Sequence, residues 1–434
     1  MPAEPALVSP SQTMDNSRRR SLQLLGILCG FTAGAWLGAA EAPTKLVSIG
    51  ISPIVISLIM VVGVFLARWS LPALVLGTAS MRADVRRAPH LILWALLAGC
   101  LWAVANTLTI FAIRDVGLSI AFPLWNSNSL LGIFWGFLFF NELRQAGWRR
   151  WAGVLGGALV MCAGATVLAV ASASEHPSGH SLNGVWAALG AGVLWGTMYI
   201  PYRKAYLTGM NPLSFVTFFT FGELGMMATL ALSYIGVRPL WLELAQARGV
   251  IFWLMLGGFI WVIGDLFQQY AAKYIGISRG IPLSNTNQLW GLLWGVFVFG
   301  ELHGKGQTTH LQVVGGSLLM MLGVAAIAVS SATDNEQKYW REAAQRESMR
   351  YGVAADYVEA RFEGRQAAGE ARAQRSSLDW LLVAVATVIL LALALVARVP
   401  EISFHSGPML VLAGALLLLF LLCGLKLWRN TQFH

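Results

Sequence analysis

Apolar residues run along this chain in long unbroken stretches rather than in alternation. A spanning helix needs about 20 consecutive apolar residues. Twelve stretches qualify: 22–40, 51–70, 91–112, 117–140, 151–171, 184–201, 212–235, 250–272, 277–299, 311–331, 380–397 and 409–427. Runs of this kind form helices, because the strands of a membrane barrel alternate lipid-facing and lumen-facing residues. The pattern predicts an all-α polytopic membrane protein.

The same pattern is written twice. Residues 122–143 read FPLWNSNSLLGIFWGFLFFNEL and residues 281–302 read IPLSNTNQLWGLLWGVFVFGEL, with 11 of 22 positions identical and no gap. The same offset holds outward: Trp36 pairs with Trp195, Lys45 with Lys204, Pro53 with Pro212, Gly63 with Gly222, Met161 with Met320 and Gly164 with Gly323. Each copy holds five spans. An odd number makes the second copy enter the membrane from the opposite side, which predicts a 5+5 inverted repeat forming a ten-helix bundle. The chain then divides into a tail (1–21), a first unit (22–172), a second unit (183–332), a charged segment (333–378) and a C-terminal two-helix hairpin (379–434).

Composition agrees with the bilayer as solvent: 56% of the 434 residues are hydrophobic and only 12% are charged, and mean hydropathy is +0.63. The net charge of +9 does not point to nucleic acid, because the basic residues flank the spans. Arg18, Arg19 and Arg20 precede the first span with no signal-peptide cleavage pattern after them. Placing them in the cytoplasm puts Arg82, Arg86, Arg87, Arg149, Arg150, Arg203, Lys204 and Lys273 on the same side, leaving fewer basic residues opposite. The positive-inside rule therefore predicts a multi-pass protein of the cytoplasmic (inner) membrane with both termini inside.

The polar residues within the spans are the candidate chemistry. Asn126 and Asn128 match Asn285 and Asn287 in the second copy, beside Pro123 and Pro282, which can break their helices. Gln288 shares a helix face with Asn285. Amides both donate and accept, as sugar hydroxyls do, so these side chains, with Asn106 and Gln268, are expected to line a substrate cavity; the competing role is helix–helix bonding. Trp36 and Trp195, matched on the first helix of each unit, can stack on a sugar ring. Glu223 and Asp265 lie within spans, where an acid is expensive unless it faces a cavity or a partner. Either can take up and release a proton during transport. Their matched positions are Val64 and Asn106, so the acids belong to one unit only. Glu41 reads as interfacial, and Glu142 and Glu301 as caps where spans end.

Asn141-Glu142 and Gly300-Glu301 close the fourth and ninth spans of a ten-span 5+5 repeat. In this the chain resembles the drug/metabolite transporter superfamily. Lys273-Tyr-Ile-Gly-Ile-Ser278 and Ile281-Pro-Leu-Ser-Asn-Thr-Asn-Gln-Leu289 are similar to the bacterial glucose/ribose porters of the glucose-uptake permease type. The resemblance covers about residues 22–331. It implies a ten-helix bundle around a central cavity and import of a monosaccharide, with a proton gradient rather than a cofactor as the energy source. The competing readings are metabolite or drug export or exchange, and a non-transporting scaffold or sensor.

Segment 333–378 holds eight basic and eight acidic residues and reads as a solvated helix with internal ion pairs. The final hairpin reads as a packing element, able to mediate a homodimer or hold a protein partner. Cys29, Cys100, Cys162 and Cys423 fall inside spans and read as small hydrophobes. There is no Walker A loop and no H-E-x-x-H motif, so neither ATP-driven transport, catalysis nor a metal site is expected.

Overall fold

The computed structural model describes residues 10–40, 42–43, 51–116, 124–125, 127–171, 181–300, 303–330, 334–365, 375–398 and 404–433. In chain order its α-helices are α1 (Pro10–Ala39), α2 (Pro53–Val75), α3 (Thr78–Arg87), α4 (His90–Val116), α5 (Asn128–Phe140), α6 (Trp148–Ala171), α7 (Ser181–Leu207), α8 (Pro212–Ile235), α9 (Val237–Gln246), α10 (Ile251–Ile275), α11 (Ile277–Ser284), α12 (Asn287–Leu293), α13 (Gln307–Val329), α14 (Asp334–Tyr351), α15 (Ala355–Phe362), α16 (Ser377–Val396) and α17 (Ser406–Thr431). Among the described residues nine helices are long and apolar enough to cross a membrane: α1, α2, α4, α6, α8, α10, α13, α16 and α17. The chain is an all-α polytopic membrane protein.

Three of the twelve expected spans differ from that simple form. α7 has the length, at 27 residues, but Gly, Trp and Tyr in place of aliphatic side chains lower its hydropathy. Of the fourth expected span, residues 117–123 lie outside the described residues and α5 is only 13 residues long. The ninth is broken. α11 carries Pro282 and stops at Asn285, α12 restarts at Asn287, and a π turn follows at Trp294–Val298. Proline has no N–H to continue the ladder, and a π turn inserts an extra residue, so the span is interrupted at both ends of α12.

Helix contacts recur in repeat-matched pairs. α1 packs on α10 as α7 packs on α4, and α2 packs on α10 as α8 packs on α4. Glycines make these approaches close. A Cβ at Gly63 would meet the Met255 carbonyl, and one at the matched Gly222 would meet the matched Leu96 carbonyl. Likewise Gly99 lies against Phe219 and Glu223, as Gly258 lies against Met60 and Val64.

The C-terminal extension is folded onto the bundle. α16 lies against α2, and α17 against α1 and the π turn. The Asp379 carboxylate accepts from the Ser376 and Thr78 amides at 2.7 Å each, capping α16 and α3 together. Cys29 and Cys423, far apart in sequence, bring their free thiols to 3.5 Å between α1 and α17. The charged segment departs from a solvated linker. Arg341 does pair internally with Glu363 at 3.3 Å. Yet Trp340 of α14 and Arg361 of α15 are only 1% and 2% exposed, because both helices pack against α7.

Candidate functional site

The interrupted ninth span meets α5 through asparagines. Asn285 stands at the break after α11, and its Nδ2 donates to Asn128 Oδ1 at 3.2 Å and to Ser129 Oγ at 2.6 Å. Asn285, Gln288 and Ser129 line one small void with Met161, Cys162, Ala165 and Met320, of about 10 Å³. That volume suits at most a single water. Gln288 Oε1, of a residue that lines this void, and Asn287 Oδ1 of the same helix are buried with no hydrogen-bond partner. A buried unpaired acceptor is costly, and a hydroxyl would satisfy either one. Next to this junction Gln268 Nε2 of α10 donates to Ser284 Oγ at 2.6 Å. Trp195 of α7 meets Trp125 edge to face at 6.0 Å, with its indole N–H buried and unpartnered.

The two membrane acids form one cluster around a residue that the sequence reading did not single out. Arg68 of α2 reaches Glu223 of α8 at 2.9 Å and Asp265 of α10 at 2.6 Å, all three side chains being at most 1% exposed. The guanidinium lies over the Phe219 ring at 4.4 Å and the Trp261 ring at 5.2 Å. The second Asp265 oxygen accepts from Gln269 at 2.7 Å, whose own oxygen accepts from the Tyr206 hydroxyl at 2.6 Å. Fully ionised, one cation and two anions leave the cluster at −1, and one added proton makes it neutral. The clue was available: Arg68 is a charge inside an apolar span, and such residues pair or function.

Two further clusters join the halves on one face of the bundle. Glu142, with no exposed surface, ion-pairs with Arg203 Nε at 2.9 Å. It also accepts from the Ile277 amide at 3.1 Å and the Ser278 amide at 2.8 Å, capping α11 across the unit boundary. Arg203 in turn donates to the Ala272 and Lys273 carbonyls at 3.0 Å each, closing the end of α10. Between them Gly276 has φ +81° and lies against the Glu142 carboxylate, where a Cβ would collide. Asp84 of α3 makes the second joint, accepting from Ser214 Oγ of α8 at 2.6 Å. Residues 276–280, Gly-Ile-Ser-Arg-Gly, spell a nucleophile-elbow motif. They join helix to helix, however, and Ser278 Oγ donates to Glu142 at 2.7 Å, so the letters carry no esterase chemistry.

Other expected site residues are placed elsewhere. Trp36 does not face the Asn junction: its indole donates to the Leu416 carbonyl of α17 at 3.2 Å and its ring meets Phe420 at 5.8 Å. The hairpin provides the apolar surface and carbonyl that an indole needs. Asn106 donates to Ser57 at 3.2 Å within the first half. Asn126, Pro123, Glu41 and Glu301 lie outside the described residues.

Residues 186–358 match the family model Sugar_transport, described as sugar transport protein. The stretch holds Glu223, Asp265, Asn285, Asn287 and Gln288, but neither Arg68 nor Asn128. A "Putative sugar uptake protein" of Streptococcus pyogenes serotype M1 is 34% identical over 157 residues, 36% of this chain and 48% of that protein. The chain spans about half the length of the curated relatives it matches in this way. "Probable glucose uptake protein GlcU" of Staphylococcus aureus is 23% identical over 251 residues, 56% of this chain and 79% of its own length. One solved crystal structure aligns with 69% of this chain and 97% of its own, at 18% identity and a TM-score of 0.45. The curated likenesses are to sugar-uptake proteins.

Proposed function

We propose that this chain is a secondary-active transporter that imports a neutral sugar of the glucose or ribose type by alternating access, driven by protons. The observation that carries the substrate class is Gln288 Oε1, a buried, unpartnered amide oxygen of a residue that lines the void beside the Asn128–Asn285 junction. Interrupted spans between repeats are where transporters of this build hold their solute, and Asn285 stands at the interruption of the ninth span. Hydroxyls donate to such oxygens, and a neutral ligand suits a site whose own lining carries no charge. The match of residues 186–358 to the sugar transport protein model and the similarity to sugar-uptake proteins support the same class.

Coupling is assigned to Arg68, Glu223 and Asp265. The cluster is neutral only with one proton aboard, so a proton taken up on one side and released on the other changes how Arg68 is shared between α8 and α10. The two five-helix units are inverted copies that rock about the Asn junction, and the face with Arg203 and Lys204 is the cytoplasmic one by the positive-inside rule.

The test is uptake of radiolabelled glucose and ribose by proteoliposomes containing only this protein, with an inward proton gradient. Accumulation that a protonophore abolishes is expected. Accumulation indifferent to the gradient would remove the coupling, and no flux of any sugar would remove the substrate class.

A further inference from the structure

Helices α14 and α15 lie over the two joints that hold the halves together on one face. Trp340 of α14 covers the first, its ring centroid 4.8 Å from the Arg203 guanidinium that pairs with Glu142. Tyr357 and Arg361 of α15 close on the second: the Tyr357 hydroxyl is 3.0 Å from Asp84 Oδ1 and Arg361 is 3.7 Å from the same oxygen. Each helix also touches both units. In α14, Glu347 pairs with Lys204 of the second unit at 3.3 Å, while Tyr351 stacks on His90 of the first at 3.6 Å. In α15, the Tyr357 hydroxyl that faces Asp84 also lies 3.2 Å from the Gly209 carbonyl of the second unit. Arg18 at the start of the bundle donates to the Glu363 and Gly364 carbonyls at 3.2 and 3.4 Å, pinning the end of the segment.

We propose that the α14–α15 segment is a built-in lock: seated as here, it holds this face closed, and the pathway opens on this side only when the segment lifts from Arg203 and Asp84. The physical reason is its span. A rocking of one unit against the other separates Glu142 from Arg203 and Asp84 from Ser214, and beside these separations the segment is bound to residues of both units, α14 to Lys204 and His90 and α15 to Gly209 and Asp84. Burial of Trp340 and of the aliphatic part of Arg361 adds apolar area that must be re-exposed on opening. The segment therefore sets how often the closed face opens, and a partner or modification that engages its charged outer surface would change that frequency. The lock rests on the alternating-access reading.

Hydrogen exchange of the full-length protein in lipid nanodiscs tests it without reference to any solute. W340A should raise exchange at least tenfold in peptides covering residues 276–284, where the Ile277 and Ser278 amides are held by Glu142, while peptides of α6 and α13 keep their rates. E347Q, a milder change, should raise the same peptides about threefold. Unchanged exchange there in both variants overturns the lock. If W340A accelerates α6 and α13 equally, it has loosened the whole fold, and E347Q alone decides. A transport measurement adds the opposite direction. In a chain whose native cysteines are replaced by alanine, K204C and E347C bridged by a short bismaleimide should take up radiolabelled glucose at least tenfold more slowly than the same pair capped with N-ethylmaleimide. Equal uptake overturns the lock. Absence of glucose uptake in both samples and in the parent chain removes the sugar reading alone, and exchange then decides the lock.

Discussion

Arg68, Glu223 and Asp265 form a buried charged trio, whereas the repeat-matched positions hold Met227, Val64 and Asn106. The scaffold around the two sets is shared. Trp261, which lies over Arg68 at 5.2 Å, meets its own matched residue Trp102 at 5.4 Å, and the matched glycines Gly99 and Gly258 make equivalent approaches beside each set. On the neutral side Asn106 bonds Ser57 at 3.2 Å, and Met227 is fully buried in the apolar core, with the Thr107 hydroxyl 3.9 Å from its sulfur. The neutral set thus shows how this scaffold packs without charge. The same scaffold accommodates a neutral set, so in the proposed reading the charged set bears its desolvation for the sake of coupling.

The largest expected effect comes from breaking the trio at its centre. R68A leaves two buried carboxylates without their cation, a loss of about 3–5 kcal/mol, and should abolish the folded peak in size-exclusion chromatography. Copying the neutral set instead, with Arg68→Met, Glu223→Val and Asp265→Asn together, should restore a folded protein that no longer accumulates sugar against a gradient. A triple variant that still accumulates would show that the charges serve the fold alone. Next in size, E223Q and D265N should each reduce gradient-driven uptake at least tenfold while preserving sugar exchange between equal concentrations, since each removes a proton carrier and keeps the shape.

The second region for comparison is the Asn junction, which is polar in both copies. N285A removes bonds to Asn128 and Ser129, and Q288A removes an orphaned acceptor. Hydrogen bonds between membrane helices contribute about 0.6 kcal/mol on average, so melting temperature should move little in either variant. Sugar affinity, measured by counterflow, should weaken severalfold in both. Smallest of all, W36F loses one bond to the Leu416 carbonyl on α17 and should leave uptake within twofold of the parent. A large loss of uptake in W36F would return Trp36 to the pathway.

The hydropathy pattern contained the α-helical membrane fold, and the constant offset between the two copies anticipated which helices pack equivalently. It hid what depends on distance through space. Averaging over a span concealed Arg68 among apolar neighbours, and its partners are 155 and 197 residues away in sequence. Trp36 matched Trp195 by register, yet a hairpin absent from the repeat took its indole. The interruption after Pro282 was readable from proline chemistry, whereas the π turn at Trp294–Val298 has no comparable sequence mark. Glu142 was readable as a cap at a span end, but nothing local told that the helix it caps is α11 of the other half.

The most direct test of the central claim is proton movement itself. In lightly buffered proteoliposomes an added sugar that is transported should carry protons with it, seen as interior acidification by a trapped pH dye, and E223Q and D265N should each remove that signal while sugar exchange continues. Acidification equal to the parent in both variants would contradict the account, because the trio would then carry no proton for transport.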